Sequence, residues 1–175
     1  MSQPITIALD AMGGDIGPEA IIPAANLITK EYSDIRFLIF GDEAKILPVL
    51  SRYKKLRTIA NVHHTDKFIA NDEKPSAALR SGKGSSMRLA IEAVADGKAD
   101  AVVSAGNTGA LMALAKIVLK TVSGIHRPAI ASVFPTLQSP TIMLDLGANV
   151  LVDAQNLAQF AVLGAVFAKA HKGVA

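Results

Sequence analysis

The sequence predicts an α/β fold: a doubly wound, mostly parallel sheet with helices on both faces. Two patterns carry this expectation. Short apolar runs alternate with longer stretches of helical periodicity, and several runs are apolar at successive positions, as in strands covered on both sides. Composition agrees, since half of the 175 residues are hydrophobic but only 5% are aromatic and none is Trp. That is the balance of a core packed from Ala, Val, Ile and Leu. A chain of this length can bury such a core as a single domain, 1–175.

Strands are expected at 5–9, 36–40, 101–104, 129–134 and 141–146, with a less regular run at 58–63. Helical patterns fall between them at 18–32, 43–54, 75–96, 108–120 and 154–172. Pro18 suits the first position of its helix, where a missing amide costs little. Segment 71–86 (NDEKPSAALRSGKGSS) has a Pro start and two glycines inside a would-be helix, so it reads as a mobile loop or a broken helix. The last apolar helix pattern has no strand after it. A sheet of this class usually continues, and the sequence therefore reads as a truncated fold, the N-terminal portion of a longer enzyme.

Several function classes are excluded or disfavoured. There is no Cys, which removes disulfides, Cys-based zinc sites and thiol nucleophiles. Net charge is +3, from 18 basic and 15 acidic residues. The densest basic run, Arg52, Lys54, Lys55 and Arg57, reads as a solvated helix end, since cations favour helix C-termini. Only Tyr53 could stack beside it, so no nucleic-acid partner is expected. His63 and His64 lack the i, i+4 spacing of helical ligands, and no metal is expected. No signal peptide is visible, and 160–170 falls short of the ~20 residues that span a bilayer. The protein is expected to be cytoplasmic.

In an open parallel sheet, ligands bind where strands end and helices begin. Three such junctions stand out. The first, 10–15 (DAMGGD), has paired glycines, Gly13 and Gly14, that permit a tight turn and close backbone approach. Its Asp10 and Asp15 can orient the turn or a bound group, or simply cap the following helix. The second, 104–109 (SAGNTG), opens a helix with small residues. Helix-N-terminal amides there form an anion cradle, to which Ser104, Asn107 and Thr108 add donors, while Gly106 and Gly109 leave room. It is the strongest phosphate-site candidate in the chain, although a plain capped turn would use the same residues. It matches neither the dinucleotide fingerprint nor the P-loop, so no nicotinamide cofactor or ATP is indicated. The third, 145–149 (DLGAN), places Asp145 and Asn149 at another strand end.

An anion site also needs cations. Lys74, Arg80, Lys83 and Arg88 cluster around the irregular segment, and Arg127 lies in 124–128 (GIHRP). One or two of these five are expected to touch the anion, Arg being able to fork two bonds to phosphate. His126 could serve as an acid or base, or be structural.

Taken in order, DAMGGD at 10–15, Lys74-Pro75 with Ala78-Leu79-Arg80 and Ser85-Ser86-Met87-Arg88, SAGNTGALM at 104–112, GIHRPA at 124–129 and LDLGANV at 144–150 closely resemble the PlsX-type phosphate acyltransferases. These are the acyl-acyl-carrier-protein:phosphate enzymes of bacterial phospholipid synthesis. The resemblance covers nearly the whole chain. It implies a fold like those of isopropylmalate dehydrogenases and phosphotransacetylases, with no cofactor. It implies as substrates inorganic phosphate and a fatty acyl group carried by acyl carrier protein. It also implies a cytoplasmic homodimer, peripherally associated with the membrane, whose acyl-phosphate passes to a membrane glycerol-3-phosphate acyltransferase. Two departures stand out. Members of that family are roughly twice this length, and an acidic residue usually follows GANV where this chain has Leu151, with Asp153 close behind.

The expected chemistry needs no protein nucleophile, because phosphate near neutral pH can attack a thioester directly. The enzyme would position it and stabilise the oxyanion. Phosphate is assigned to Ser104, Gly106, Asn107, Thr108 and Gly109, with Asn107, Arg88 and Arg127 as the catalytic candidates. Asp10, Gly13, Gly14, Asp15, Asp145 and Asn149 would shape the site. Two rivals are a phosphotransacetylase-like enzyme using short acyl-CoA and a non-catalytic phosphate-binding half-domain.

Overall fold

A computed structural model describes residues 4–137 and 139–172. The chain forms two compact units, Met1–Lys120 and Thr121–Ala175. In the first, four strands, β1 (Ile5–Asp10), β2 (Ile35–Gly41), β3 (Ala60–His64) and β4 (Ala101–Ser104), make a wholly parallel sheet in the order β3-β2-β1-β4. The connections carry α1 (Pro18–Glu31), α2 (Glu43–Leu50), α3 (Lys54–Ile59), α4 (Pro75–Ser81) and α5 (Ser86–Ala95), and α6 (Thr108–Val118) follows β4.

Side chains alternate across a strand with period two, which divides the core. On one face Leu9, Phe37 and Ile39 meet Ile22 and Ala25 of α1, Ile46, Val49 and Leu50 of α2, and Leu56 of α3. On the other, Ala8 and Phe40 meet Ala90 and Ala93 of α5. A third cluster joins Ala78, Met87, Ile91, Ala110 and Leu114, binding α4, α5 and α6 together. The expected two-faced sheet is therefore present, with helices on both sides.

Local chemistry shifts several boundaries. The 43–54 pattern breaks after Leu50, because Pro48 removes an amide from the last turn and Ser51 closes it. The basic run consequently does not end one helix. Arg52 reaches Glu19 on α1, while Lys54 and Lys55 open α3, and Lys55 Nζ donates to Thr29 O near the C-terminal end of α1. The favourable meeting of cation and helix C-terminus exists, but with a different helix. The 75–96 pattern is likewise two helices, interrupted through Gly82 and Gly84.

In the second unit β5 (Ser132–Phe134) and β6 (Thr141–Met143) pair antiparallel, Val133 opposite Ile142. Both strands fall within the expected runs 129–134 and 141–146, and the structure gives their direction as antiparallel. Six residues join them, and a parallel connection needs a dozen or more. The long helix α7 (Ala154–Lys172) packs on β6. At Gly164 it passes close to the residue that follows β6, since an added Cβ would stand 3.2 Å from Leu144 Cδ1.

Candidate functional site

β1 and β4 are neighbours, with Asp10 opposite Ser104 in the register. The turns that leave their C-terminal ends therefore lie side by side. They also press together: a Cβ on Gly13 would fall 2.7 Å from Gly106 N and 2.9 Å from both Asp10 Oδ2 and Ser104 Oγ. Only glycine fits there, because the obstacles include backbone. Gly14, at φ 81°, carries the chain on past Ala105.

Asp10 sits beneath this contact with 2% of its surface exposed. Its Oδ2 accepts from Ser104 Oγ and its Oδ1 from Ser86 Oγ, each at 2.6 Å, with Met12 N a longer donor at 3.3 Å. Ser104 Oγ in turn accepts from Gly106 N at 3.1 Å. An ionised carboxylate only accepts, so the Ser104 proton is directed at Asp10. Asp10 and Ser104 thus occupy each other and set the backbone of the turn.

Asn107 is the N-cap of α6. Its Oδ1 accepts from Ala110 N at 2.9 Å, the usual service of a capping side chain. Its Nδ2 donates to Asn71 O and Glu73 O at 2.9 and 2.7 Å, fastening the irregular segment to the turn. Asn71 also donates to Asp15 Oδ1 at 2.7 Å, so the same segment reaches the first turn. Gly109 faces Pro75 of α4, whose Cγ would be 2.8 Å from an added Cβ. The amides of Asn107, Thr108 and Gly109 find no acceptor among the described residues, and Thr108 is exposed. Three free amides at the positive end of an eleven-residue helix suit an anion.

The cationic candidates are placed less centrally. Arg88 Nε donates to Glu92 Oε1 at 2.8 Å, one turn along α5, which engages one of its five donors. Lys74, Arg80 and Lys83 are exposed around α4. Arg127 belongs to the second unit, where it is exposed, and neighbouring His126 donates its amide to Gln159 Oε1.

The third polar turn also lies in the second unit, after β6 rather than on the parallel sheet. Asp145 is a clamp for it. Oδ1 accepts from Ile130 N at 2.8 Å and Ala148 N at 3.3 Å, and Oδ2 accepts from Asn149 N and Nδ2 at 2.7 and 3.0 Å. Asn149 Nδ2 also donates to Pro128 O. Partial burial pushes the carboxyl up, but the bonds from Ile130, Asn149 and Ala148 outweigh it and hold the group below its ordinary range. Leu151 is 79% exposed. Asp153 instead caps α7, its Oδ1 accepting from Asn156 N at 2.8 Å.

Sequence reasoning quoted Ser86, Asn71 and Pro75 only as parts of longer segments, yet all three touch the paired turns. The one local signal was Ser85-Ser86 ahead of an apolar helix, an N-cap pattern that says nothing of a distant Asp. Among the described residues no three His, Asp or Glu gather as a metal site would need, and no helix is long and apolar enough to cross a membrane.

Residues 5–175 match the family described as fatty acid synthesis protein. The chain belongs to that family. A curated relative from Rhodospirillum centenum, called phosphate acyltransferase, is 55% identical over 99% of this chain and 49% of its own length. Another of the same name, from Paramagnetospirillum magneticum, is 48% identical over 99% of this chain and 50% of its own. The chain spans about half the length of the curated relatives it matches. A phosphotransacetylase from Streptococcus pyogenes shares the fold with a TM-score of 0.71 at 19% identity, over 97% of this chain and 55% of that one.

Proposed function

We propose that this chain carries the phosphate-binding part of an enzyme that transfers a fatty acyl group from acyl carrier protein to inorganic phosphate, feeding phospholipid synthesis. The observation that carries the reading is the pair of interlocked turns ending β1 and β4, which presents the free amides of Asn107, Thr108 and Gly109 at the head of α6. The name shared by the relatives supports acyl transfer to phosphate.

In this reading the amides of 107–109 and the Thr108 hydroxyl hold phosphate, whose free oxygen attacks the thioester carbonyl. The carbon–sulfur bond breaks, the carrier leaves as thiolate, and acyl-phosphate forms. Arg88 is the candidate within the first unit for neutralising charge as the tetrahedral oxyanion develops. Asp10, Gly13, Gly14 and Asp15 shape the turns, and Asp145 with Asn149 shapes the second unit. The whole enzyme would be a cytoplasmic homodimer touching the membrane peripherally, handing acyl-phosphate to a membrane glycerol-3-phosphate acyltransferase.

Titration with inorganic phosphate tests the site. The amide resonances of Gly106 to Gly109 should shift in a saturable way, and binding elsewhere with these amides silent would remove the assignment. The fold shared with a phosphotransacetylase favours a second reading, transfer from short acyl-CoA. Assaying acetyl-CoA against long-chain acyl carrier protein separates the two.

A further inference from the structure

Ser86 lies outside both turns, in the first turn of α5 and 1% exposed, yet its hydroxyl ends on the carboxylate that holds Ser104. Resting on the phosphate reading above, we propose that Ser86 is a positioning residue of the anion turn, acting through Asp10 on Ser104 and Gly106. Both hydroxyls must aim their protons at Asp10, which can only accept. With its proton so committed, Ser104 offers lone pairs to Gly106 N at 3.1 Å. The Gly106 amide is thereby turned inward, and its orientation sets the direction in which the next three amides open.

Without the Ser86 hydroxyl, Asp10 Oδ1 keeps only Met12 N at 3.3 Å. A carboxylate bonded well on one side only is free to turn, Ser104 follows it, and the peptide after Gly106 loses its support. Displacements of about 1 Å in a positioned group are enough to cost large factors in function. The chain therefore links the irregular segment to the anion turn by a path of four residues that runs from buried Ser86 and Asp10 to partly buried Ser104 and Gly106.

Ser85 supplies the control. It is as buried as Ser86, 1% exposed, and caps α5 by accepting from Arg88 N at 3.3 Å, with no bond to Asp10. The test compares Ser86→Ala, Ser85→Ala, Ser104→Ala and the double variant Ser86→Ala/Ser104→Ala in the 175-residue chain. Two quantities are read: the Gly106 amide resonance without ligand, and the dissociation constant for inorganic phosphate by calorimetry. Ser86→Ala should move the Gly106 resonance and weaken phosphate binding about tenfold, the size expected when a buried charged acceptor loses a donor. Ser85→Ala should lower the melting temperature comparably while leaving both readouts in place. The double variant should bind phosphate no worse than Ser104→Ala alone, because both hydroxyls act through one carboxylate. Equal losses from Ser85→Ala and Ser86→Ala, additive losses in the double variant, or an unmoved Gly106 resonance would each overturn the proposal. Should the unsubstituted chain bind no phosphate at 106–109, the site assignment fails separately, and the role of Ser86 is decided by the Gly106 resonance alone.

Discussion

In the Met1–Lys120 unit, Ile22, Ile39, Ile46, Leu56, Ile91 and Leu114 are all completely withdrawn from solvent. In the Thr121–Ala175 unit Phe160 is the one large apolar side chain that is buried among the described residues, while Leu157, Val162 and Val166 are 58%, 60% and 63% exposed. The two stretches are similarly rich in aliphatic residues, so composition does not explain the contrast. Layering does. A four-stranded sheet offers two faces, and the first unit has helices for both. A two-stranded ribbon with one helix encloses little, since such ribbons need further strands or packing for independent stability. It leaves an open cleft of about 630 Å³ bordered by Ile142, Leu144, Leu157 and Phe160. The second unit is held instead by polar geometry, the Asp145 clamp and the Asp153 cap.

The contrast can be broken most directly in the cores. Leu114→Ala should cost about 2–5 kcal/mol in denaturant unfolding, as truncations in closed cores do. Phe160→Ala, beside an open cleft, should cost less, about 1–2 kcal/mol, despite removing more atoms. Equal costs would mean that the second unit is as well sealed as the first.

A smaller effect is expected where the first unit brings its turns together. In Gly106→Val the new Cβ would meet Met87 Cε at 3.1 Å, Ser104 Oγ at 3.2 Å and Gly13 Cα at 3.3 Å. The turns should separate slightly, and phosphate affinity should fall about tenfold, equivalent to ~1.4 kcal/mol. Unchanged phosphate titration in a folded Gly106→Val protein would separate the anion site from this contact.

The second unit should be distinguished by acid. The folded Asp145 carboxyl lies below its ordinary range, so it binds its proton less readily folded than unfolded. Its stabilising effect is therefore complete above the unfolded value, about 3.9, and is lost as pH falls through the lower folded value. Protection of the Ile130 and Asn149 amides, taken relative to the intrinsic exchange rate at each pH, should fall over that acid range, and Asp145→Asn should flatten the dependence. Protection that stays constant through that range would show that the clamp carries no stability.

The least change is expected on the open face of α7. Val166→Ser should alter unfolding free energy by no more than about 0.5 kcal/mol. A larger loss would reveal that this face is covered in solution.

The sheet and its helices were legible because burial on two faces leaves successive apolar residues in β1 and β2, at 7–9 and 37–40, and because Pro18 and the glycine turns punctuate the pattern. The pairing of β5 and β6 was not legible from their residues, because a three-residue strand carries almost no periodicity. The six-residue connection was the better signal, since loop length limits strand direction more firmly than apolar content does.

The chain of residues alone determined the α/β class, the position of the paired-glycine turn and of the helix-opening turn, and the membership that its ordered motifs announce. These are local properties, written in spacing and in the few residue types that tolerate tight turns. Only the tertiary structure decided which turns meet and what each polar side chain does there. Asp10 and Ser104 are 94 residues apart, and Asp10 and Ser86 are 76 apart. No local pattern encodes such a pairing. It follows from strand order, which places β4 beside β1, and from the burial of a carboxylate that must then find donors wherever the fold supplies them.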